Sequence, residues 1–379
     1  MLNPQAPKKL RILMLNYEFP PLGGGAGNAT YYILKEFSKN KDLEIDLVTS
    51  SVNNFRIEKF SKNITIHYFE IGKKGNLHYQ TNKDLLKYSW KAYSYAKELI
   101  KKNNYHLCHA FFGIPCGYIA MKLKKKFGLN YIVSLRGSDV PFYNSRFYLL
   151  DKLVFKKLSR KVWRSAKQVI ANSKGLKDLA LGTNPNQKII VIYNGVNTEE
   201  FKPSKTKKKN KVLKLISTGR LIERKGYSYL INALENQDNI ELTLIGDGNL
   251  RNELESLSKE LNVNVRFPGK KNKAEIIKEL QNSDIFILPS LNEGMSNSIL
   301  EAMACGLPII TTDTGGSEEL IDGNGFIVKK EDSINLFRSL EKYRKDPILV
   351  AKHGKLSRDL ALQLSWNKTV SKYSSIYQK

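Results

Sequence analysis

Two glutamates eight positions apart, Glu293 and Glu301, flank a Ser296-Asn297-Ser298 run. The apolar stretch Asp284–Pro289 reads as a strand that opens into a small-residue loop carrying Glu293. The Ala-, Met- and Leu-rich segment after it reads as a helix carrying Glu301, and Pro308–Thr312 reads as a second strand ending in Gly315-Gly316. Strand, polar loop, helix, strand is one parallel βαβ step. Ligands in such sheets sit at the carboxyl ends of strands and against helix N-termini, where backbone N–H groups attract phosphate. Two carboxylates beside a phosphate site make sense if their tasks differ. One can accept hydrogen bonds from sugar hydroxyls and the other from a ribose diol, while the helix end takes a diphosphate. Those residue types in that order describe a pocket for a nucleotide sugar. The same segment also reads as an ordinary βαβ step with two solvated acids.

Cations are placed to match. Gly219-Arg220-Leu221-Ile222-Glu223-Arg224-Lys225-Gly226 follows another strand-like run, Leu213–Gly219. Arginine grips phosphate oxygens in bidentate fashion and lysine acts as a point charge. At a strand's carboxyl end, Arg220 and Lys225 can neutralise a leaving diphosphate, with Arg224 left to solvent. Such charge stabilisation can replace a metal ion, and the sequence contains no Asp-x-Asp. The expectation is a metal-independent enzyme with no bound cofactor. Gly246-Asp247-Gly248 and Phe267-Pro268-Gly269-Lys270 end the next two strands; either is also a plain strand-end turn. Gly23-Gly24-Gly25, after the strand-like Leu10–Glu18, would let backbone approach an anion at a helix N-terminus. No acidic residue completes a dinucleotide fingerprint there.

Glu293-Gly294 before the helix, Glu301-Ala302-Met303-Ala304-Cys305-Gly306-Leu307-Pro308 through it, and Thr314-Gly315-Gly316 beyond it resemble the E-x7-E segment of the family 4 retaining glycosyltransferases. The resemblance runs over nearly the whole chain. It implies the GT-B fold, an α/β architecture of two Rossmann-like, doubly wound domains facing a cleft. By that resemblance Glu293 holds sugar hydroxyls, Glu301 the ribose, and N–H groups around Ser296, Asn297 and Ser298 the distal phosphates; Arg220 and Lys225 contact the donor phosphates, the Gly24-Gly25 loop faces the diphosphate, and the turns at Gly246, Asp247 and Lys270 line the nucleoside pocket. Leu364-Ser365-Trp366 resembles the family's junction to a final helix that returns to the N-terminal domain, and Asn194-Gly195-Val196-Asn197 resembles its Asn-Gly-Val-Asp turn. Domains of 1–197 (with 367–379) for the acceptor and 198–366 for the donor follow. Transfer with retention is implied, by front-face attack or by double displacement.

The chain departs from the family at the acceptor side. Where many relatives carry a second histidine this one has Phe111, and where they carry another it has Arg136. Arg136 and Asp139 still suit a ligand-facing loop, Arg136 for a phosphate or an acceptor carboxylate. His109 reads equally as a catalytic group and as a satisfied core histidine.

The 379 residues suit two domains of ordinary size. With 62 basic against 36 acidic residues the net charge is +26. Basic residues crowd 121–177, where the acids are Asp139 and Asp151. A charge of this kind favours phosphates, anionic lipid or nucleic acid. Charge alone is all that speaks for nucleic acid, since no helix-turn-helix, zinc or aromatic-interleaved motif accompanies it. Leu149–Lys167 places Phe155 and Trp163 among seven Lys and Arg residues, a pattern for a helix on an anionic membrane surface or for a core helix with a solvated basic side. Cys108, Cys116 and Cys305 form no pattern and suit a reducing cytosol.

The leading expectation is a cytoplasmic glycosyltransferase, peripheral on the inner face of the cytoplasmic membrane. It would move a hexose or N-acetylhexosamine from a UDP- or GDP-linked donor to a glycan or lipid-linked acceptor. A sugar-nucleotide epimerase or hydrolase of the same fold is the alternative.

Overall fold

Strand-forming runs of Ile, Leu and Val alternate with amphipathic helices along most of the described chain. The computed structural model describes residues 9–73, 77, 80–143, 148–204 and 212–379. The lysine-rich stretch 205–211 lies outside them, as do Pro4, Pro7, Lys8 and Phe147. The chain divides into two units, Met1–Tyr193 with Trp366–Lys379, and Asn194–Ser365.

The first unit holds β1 (Leu10–Leu15), α1 (Gly25–Phe37), β2 (Leu43–Ser51), β3 (Arg56–Ser61), β4 (Ile64–Glu70), α2 (Asn82–Lys102), β5 (Leu107–Phe111), α3 (Tyr118–Phe127) and β6 (Tyr131–Ser134). Tyr148–Leu150 (α4) then continues through a wider-wound turn, Asp151–Phe155, into α5 (Lys156–Ser165). β7 (Gln168–Ala171), α6 (Lys174–Thr183) and β8 (Ile189–Val191) follow. The sheet order is β3-β4-β2-β1-β5-β6-β7-β8. Every neighbouring pair is parallel except β3 with β4. Central strands such as β1 and β5 are largely buried and mostly apolar, as parallel strands covered on both faces must be. β3 was not foreseen. Half of its six residues, RIEKFS, are exposed and half are charged, and none is fully buried, the character of an edge strand that must not pair further.

The second unit holds β9 (Leu213–Thr218), α7 (Tyr227–Ala233), β10 (Ile240–Ile245), α8 (Arg251–Glu260), β11 (Val265–Gly269), α9 (Lys273–Gln281), β12 (Ile285–Leu288), α10 (Asn297–Ala304), β13 (Ile309–Thr312), β14 (Gly325–Val328), α11 (Ser333–Lys345) and α12 (Pro347–Gln363). Its six strands run in the order β11-β10-β9-β12-β13-β14, all parallel. This is the doubly wound arrangement, in which the order reverses between the first and fourth strands. β14, four residues long, also escaped the sequence reading.

The last helix, α13 (Trp366–Tyr377), belongs to the first unit and packs on α1, as expected. Trp366 stacks on Tyr32 at 5.6 Å between ring centroids, and Tyr377 on Phe37 at 5.5 Å. Thr369 Oγ1 donates to the Tyr193 carbonyl at 3.0 Å. Among the described residues no helix is long and apolar enough to cross a membrane.

Candidate active site

In the second unit β9 and β12 are neighbours, with Leu215 opposite Ile285 and Ile216 opposite Phe286. Their following loops therefore emerge side by side where the strand order reverses, the place at which open α/β sheets bind ligands. One loop brings Arg220 and Lys225, the other Glu293. Lys225 Nζ donates to Glu293 Oε1, and the two side chains are only 10% and 14% exposed. Ser290 Oγ adds a weaker contact to the same oxygen at 3.4 Å. Burial alone would raise the Glu293 carboxyl; the charges of Lys225 and then Arg224 outweigh it and hold the group below its usual range. Glu293 is thus an ionised carboxylate in a largely dry setting.

Arg224 corrects the sequence reading, which left it to solvent. Its side chain is half-buried, Nη1 lies 3.4 Å from the Asn292 carbonyl, and its own carbonyl accepts from Leu291 N at 2.8 Å. It binds the two loops together. Gly226 makes the approach possible. Its φ is +64°, and a Cβ there would lie 2.2 Å from the Pro289 carbonyl oxygen.

α10 begins at the carboxyl end of the same crevice. Ser296 caps it, accepting from Ile299 N at 3.4 Å, and Ser296 Oγ lies 3.0 Å from Ser298 Oγ. Asn297 Oδ1 accepts from Asn194 Nδ2 at 3.1 Å, which ties the Asn-Gly-Val turn to this helix end. The first-turn N–H groups of any helix lack partners within it, and the dipole there favours an anion. Glu301 sits farther along α10, half-buried, its carboxyl pushed up to about 7 by burial with Lys273 opposing.

The neighbouring strand ends are stitched to this edge. Leu221 N donates to the Asp247 carbonyl at 3.0 Å, and Gly246 N to the Gly269 carbonyl at 3.0 Å. Gly246 has φ +144°, and a Cβ would meet the Gly219 oxygen at 1.8 Å, so its glycine serves loop packing. Asp247, Lys270 and Arg220 are exposed on the same edge. Arg220, Lys225, Glu293, the Ser296–Ser298 run, Glu301, Asp247 and Lys270 all belong to the second unit.

In the first unit the order reverses between β1 and β5. Gly24 precedes α1, whose first residue is Gly25, and Gly24 N donates to Glu18 Oε2 at 3.1 Å. A carboxylate from the same loop thus occupies that helix end, a partner the sequence reading missed although Glu18 lies five residues before the glycines. Asp139 anchors a loop: its carboxylate accepts from the N–H groups of Gly113 at 2.6 Å and of Arg136 and Gly137 at 2.9 Å each. Burial raises its carboxyl, with those bonds opposing. His109 is fully buried on β5, Nδ1 2.6 Å from Tyr377 OH and Nε2 2.8 Å from Ser134 Oγ. Desolvation, then the Arg136 charge, push it well below its ordinary value. Both ring nitrogens are thereby engaged within the core. The two departures noted in the sequence prove to be partners, for the Arg136 guanidinium lies over the Phe111 ring, 4.7 Å from its centroid.

Residues 198–359 match the family Glycosyl transferases group 1, and residues 23–200 match Glycosyltransferase Family 4. The chain is a GT-B glycosyltransferase. An uncharacterized glycosyltransferase of Methanocaldococcus jannaschii is 26% identical over 374 residues, covering 98% of each chain. The glycosyltransferase also shares its fold with sucrose-phosphate synthase from Thermosynechococcus elongatus, at a TM-score of 0.86 and 19% identity over 98% of each chain. Anabaena HepE in complex with UDP-glucose aligns at a TM-score of 0.73 and 20% identity, over 97% of this chain and 99% of that one. Like others of its class, this glycosyltransferase depends on a nucleotide sugar.

Proposed function

We propose that this chain moves a hexose or N-acetylhexosamine from a UDP- or GDP-linked donor to a glycan or lipid-linked acceptor in cell-surface polysaccharide synthesis. In this reading transfer is retaining, metal-independent and carried out at the inner face of the cytoplasmic membrane. The observation that carries the reading is the buried Lys225–Glu293 pair at the strand-order reversal, beside the N-terminus of α10. A buried ionised carboxylate held by a lysine is suited to accept hydrogen bonds from sugar hydroxyls. Lys225 and Arg220, with the first-turn N–H groups of α10, meet the charge that grows on the departing diphosphate. Glu301 receives the ribose diol, and the turns at Gly246, Asp247 and Lys270 border the nucleoside. In the first unit Arg136 is offered to an anionic group, Asp139 shapes the loop that presents it, and His109 supports that loop from within the core. HepE in complex with UDP-glucose supports a uridine-linked donor.

Thermal-shift screening of UDP-, GDP- and ADP-sugars tests the donor, because a ligand of the folded state raises its melting temperature. One nucleotide class is expected to stabilise the chain, and Glu293→Gln should then keep nucleotide binding while losing transfer. Full transfer by that variant would remove Glu293 from the reaction. Activity should survive a chelator; its complete loss would refute the metal-free mechanism.

A further inference from the structure

Large apolar side chains of the first unit stand in water at two places that the fold brings to one layer. On α2, Leu86 and Trp90 are 72% and 71% exposed; on α4 and the turn after it, Leu149 is 71% and Leu153 66% exposed, with Val154 beside them at 51%. Each set recurs at a spacing of four, so each forms a stripe on one side of its helix. α3 packs against both α2 and α5, which puts all three in one layer on the same face of the sheet. α2 follows β4 and α4 follows β6 in a parallel array, so both helices start at the carboxyl edge of the strands. Both apolar stripes lie in the first half of their helices, toward the edge from which the Gly24 and Arg136 loops emerge.

The exposed charge of this layer is mainly positive. Lys83 on α2, Lys122 and Lys125 on α3, and Lys152, Lys157 and Lys161 along the third helix are exposed. The acids within these helices are Asp84, Glu98 and Asp151, of which only Glu98 is exposed. Asp84 pairs with Lys73 at 3.0 Å, Glu98 with Lys101 at 3.0 Å, and Asp151 is buried, accepting from Phe142 N at 2.8 Å. Apolar side chains with a tryptophan at one end of a basic face complement a bilayer whose surface is anionic and whose interior is hydrocarbon. A second copy of the chain would set the same positive face against itself, which like charges disfavour.

We infer that the α2–α3–α5 layer is the membrane-docking face of this glycosyltransferase, with the tips of α2 and α4 inserted among anionic lipid headgroups. The inference rests on the reading of a lipid-linked acceptor above and specifies how the enzyme reaches it. Insertion at that end holds the carboxyl-edge loops of the first unit close to the bilayer, at the height of a short glycan on a lipid.

The test uses the full chain and vesicles of phosphatidylcholine with or without phosphatidylglycerol. Trp163 and Trp366 are buried, at 0% and 4% exposure, so among the three tryptophans Trp90 reports contact with lipid. Brominated lipid in anionic vesicles is expected to quench fluorescence in the parent chain and not in Trp90→Phe. The double variant Leu149→Glu/Leu153→Glu should bind anionic vesicles at least about tenfold more weakly, and salt should weaken the parent's binding. Both variants should keep the parent's thermal shift with the donor nucleotide sugar and its transfer to a water-soluble acceptor. Equal binding to neutral and anionic vesicles, absent quenching, or unchanged binding by the double variant would overturn the docking face. So would self-association in solution that the double variant abolishes. Failure of the donor shift in the parent chain would instead strike the catalytic reading, which separates the two.

Discussion

Lys225 and Glu293 stabilise one another where little water reaches either, so neither can be removed alone without consequence. Deleting one partner strands a charge, a loss of about 3 kcal/mol or more. Lys225→Ala should therefore lower both transfer and the urea midpoint, whereas Glu293→Gln, which keeps shape and removes the charge, should cut kcat/KM by about 10²-fold or more. Near-normal turnover in either variant would dismiss the pair from the chemistry. Glu301 gives a pH signature. Its folded-state value of about 7 stands above the ordinary 4.5, so the native chain holds the proton more tightly than the unfolded chain. The stability from this group is complete below about pH 4.5 and is lost as pH rises through about 7. Glu301→Gln should remove that slope from denaturation curves. A ribose diol donates to the ionised carboxylate, so donor affinity should rise across about pH 6–8 with release of a proton. Calorimetry in two buffers measures the release; a flat profile would take the ribose away from Glu301.

At the scale of elements, the crevice depends on loops that touch backbone to backbone. Gly226→Ala would force a Cβ to 2.2 Å from the Pro289 oxygen at a φ that alanine resists. The variant should fold with a lowered melting temperature and lose donor-induced stabilisation, because the loop carrying Lys225 must move away from Glu293. Much of this was legible in the sequence. The βαβ step from β12 to β13 could be read because apolar runs, loop acids and terminal glycines agree with one another. The contact of Arg224 with Asn292 could not, since it joins segments 68 residues apart in the chain. β3 and β14 were missed because short edge strands carry little periodicity. The place of His109 was equally hidden: its partner Tyr377 is 268 residues away, and the sequence left catalytic and core roles open. Tyr377→Phe should leave His109 Nδ1 unsatisfied and destabilise the fold by about 1–3 kcal/mol in chemical denaturation, with nucleotide binding unaltered.

Across the whole molecule, the two sheets share a plan and divide the chemistry. The second unit gathers Lys225, Glu293, Glu301 and the N-terminus of α10, whereas the first carries much of the positive charge on its helices and a cation–aromatic pair at Arg136 and Phe111. The sequence placed much of that excess between residues 121 and 177 without saying which helices would share a face. Only the packing of α2, α3 and α5 turns scattered lysines into a single face.

The return of α13 bears on how the polypeptide comes into being. Residues 194–365 are contiguous, so that lobe can mature as soon as it leaves the ribosome, while the earlier-made lobe still lacks the helix that covers α1 and meets His109. The expected order of assembly is thereby the reverse of the order of synthesis. A nascent chain released at Ser365 should be protease-sensitive in residues 9–193 yet resistant in 212–365, and limited proteolysis of that truncation would show whether the first half waits for the last.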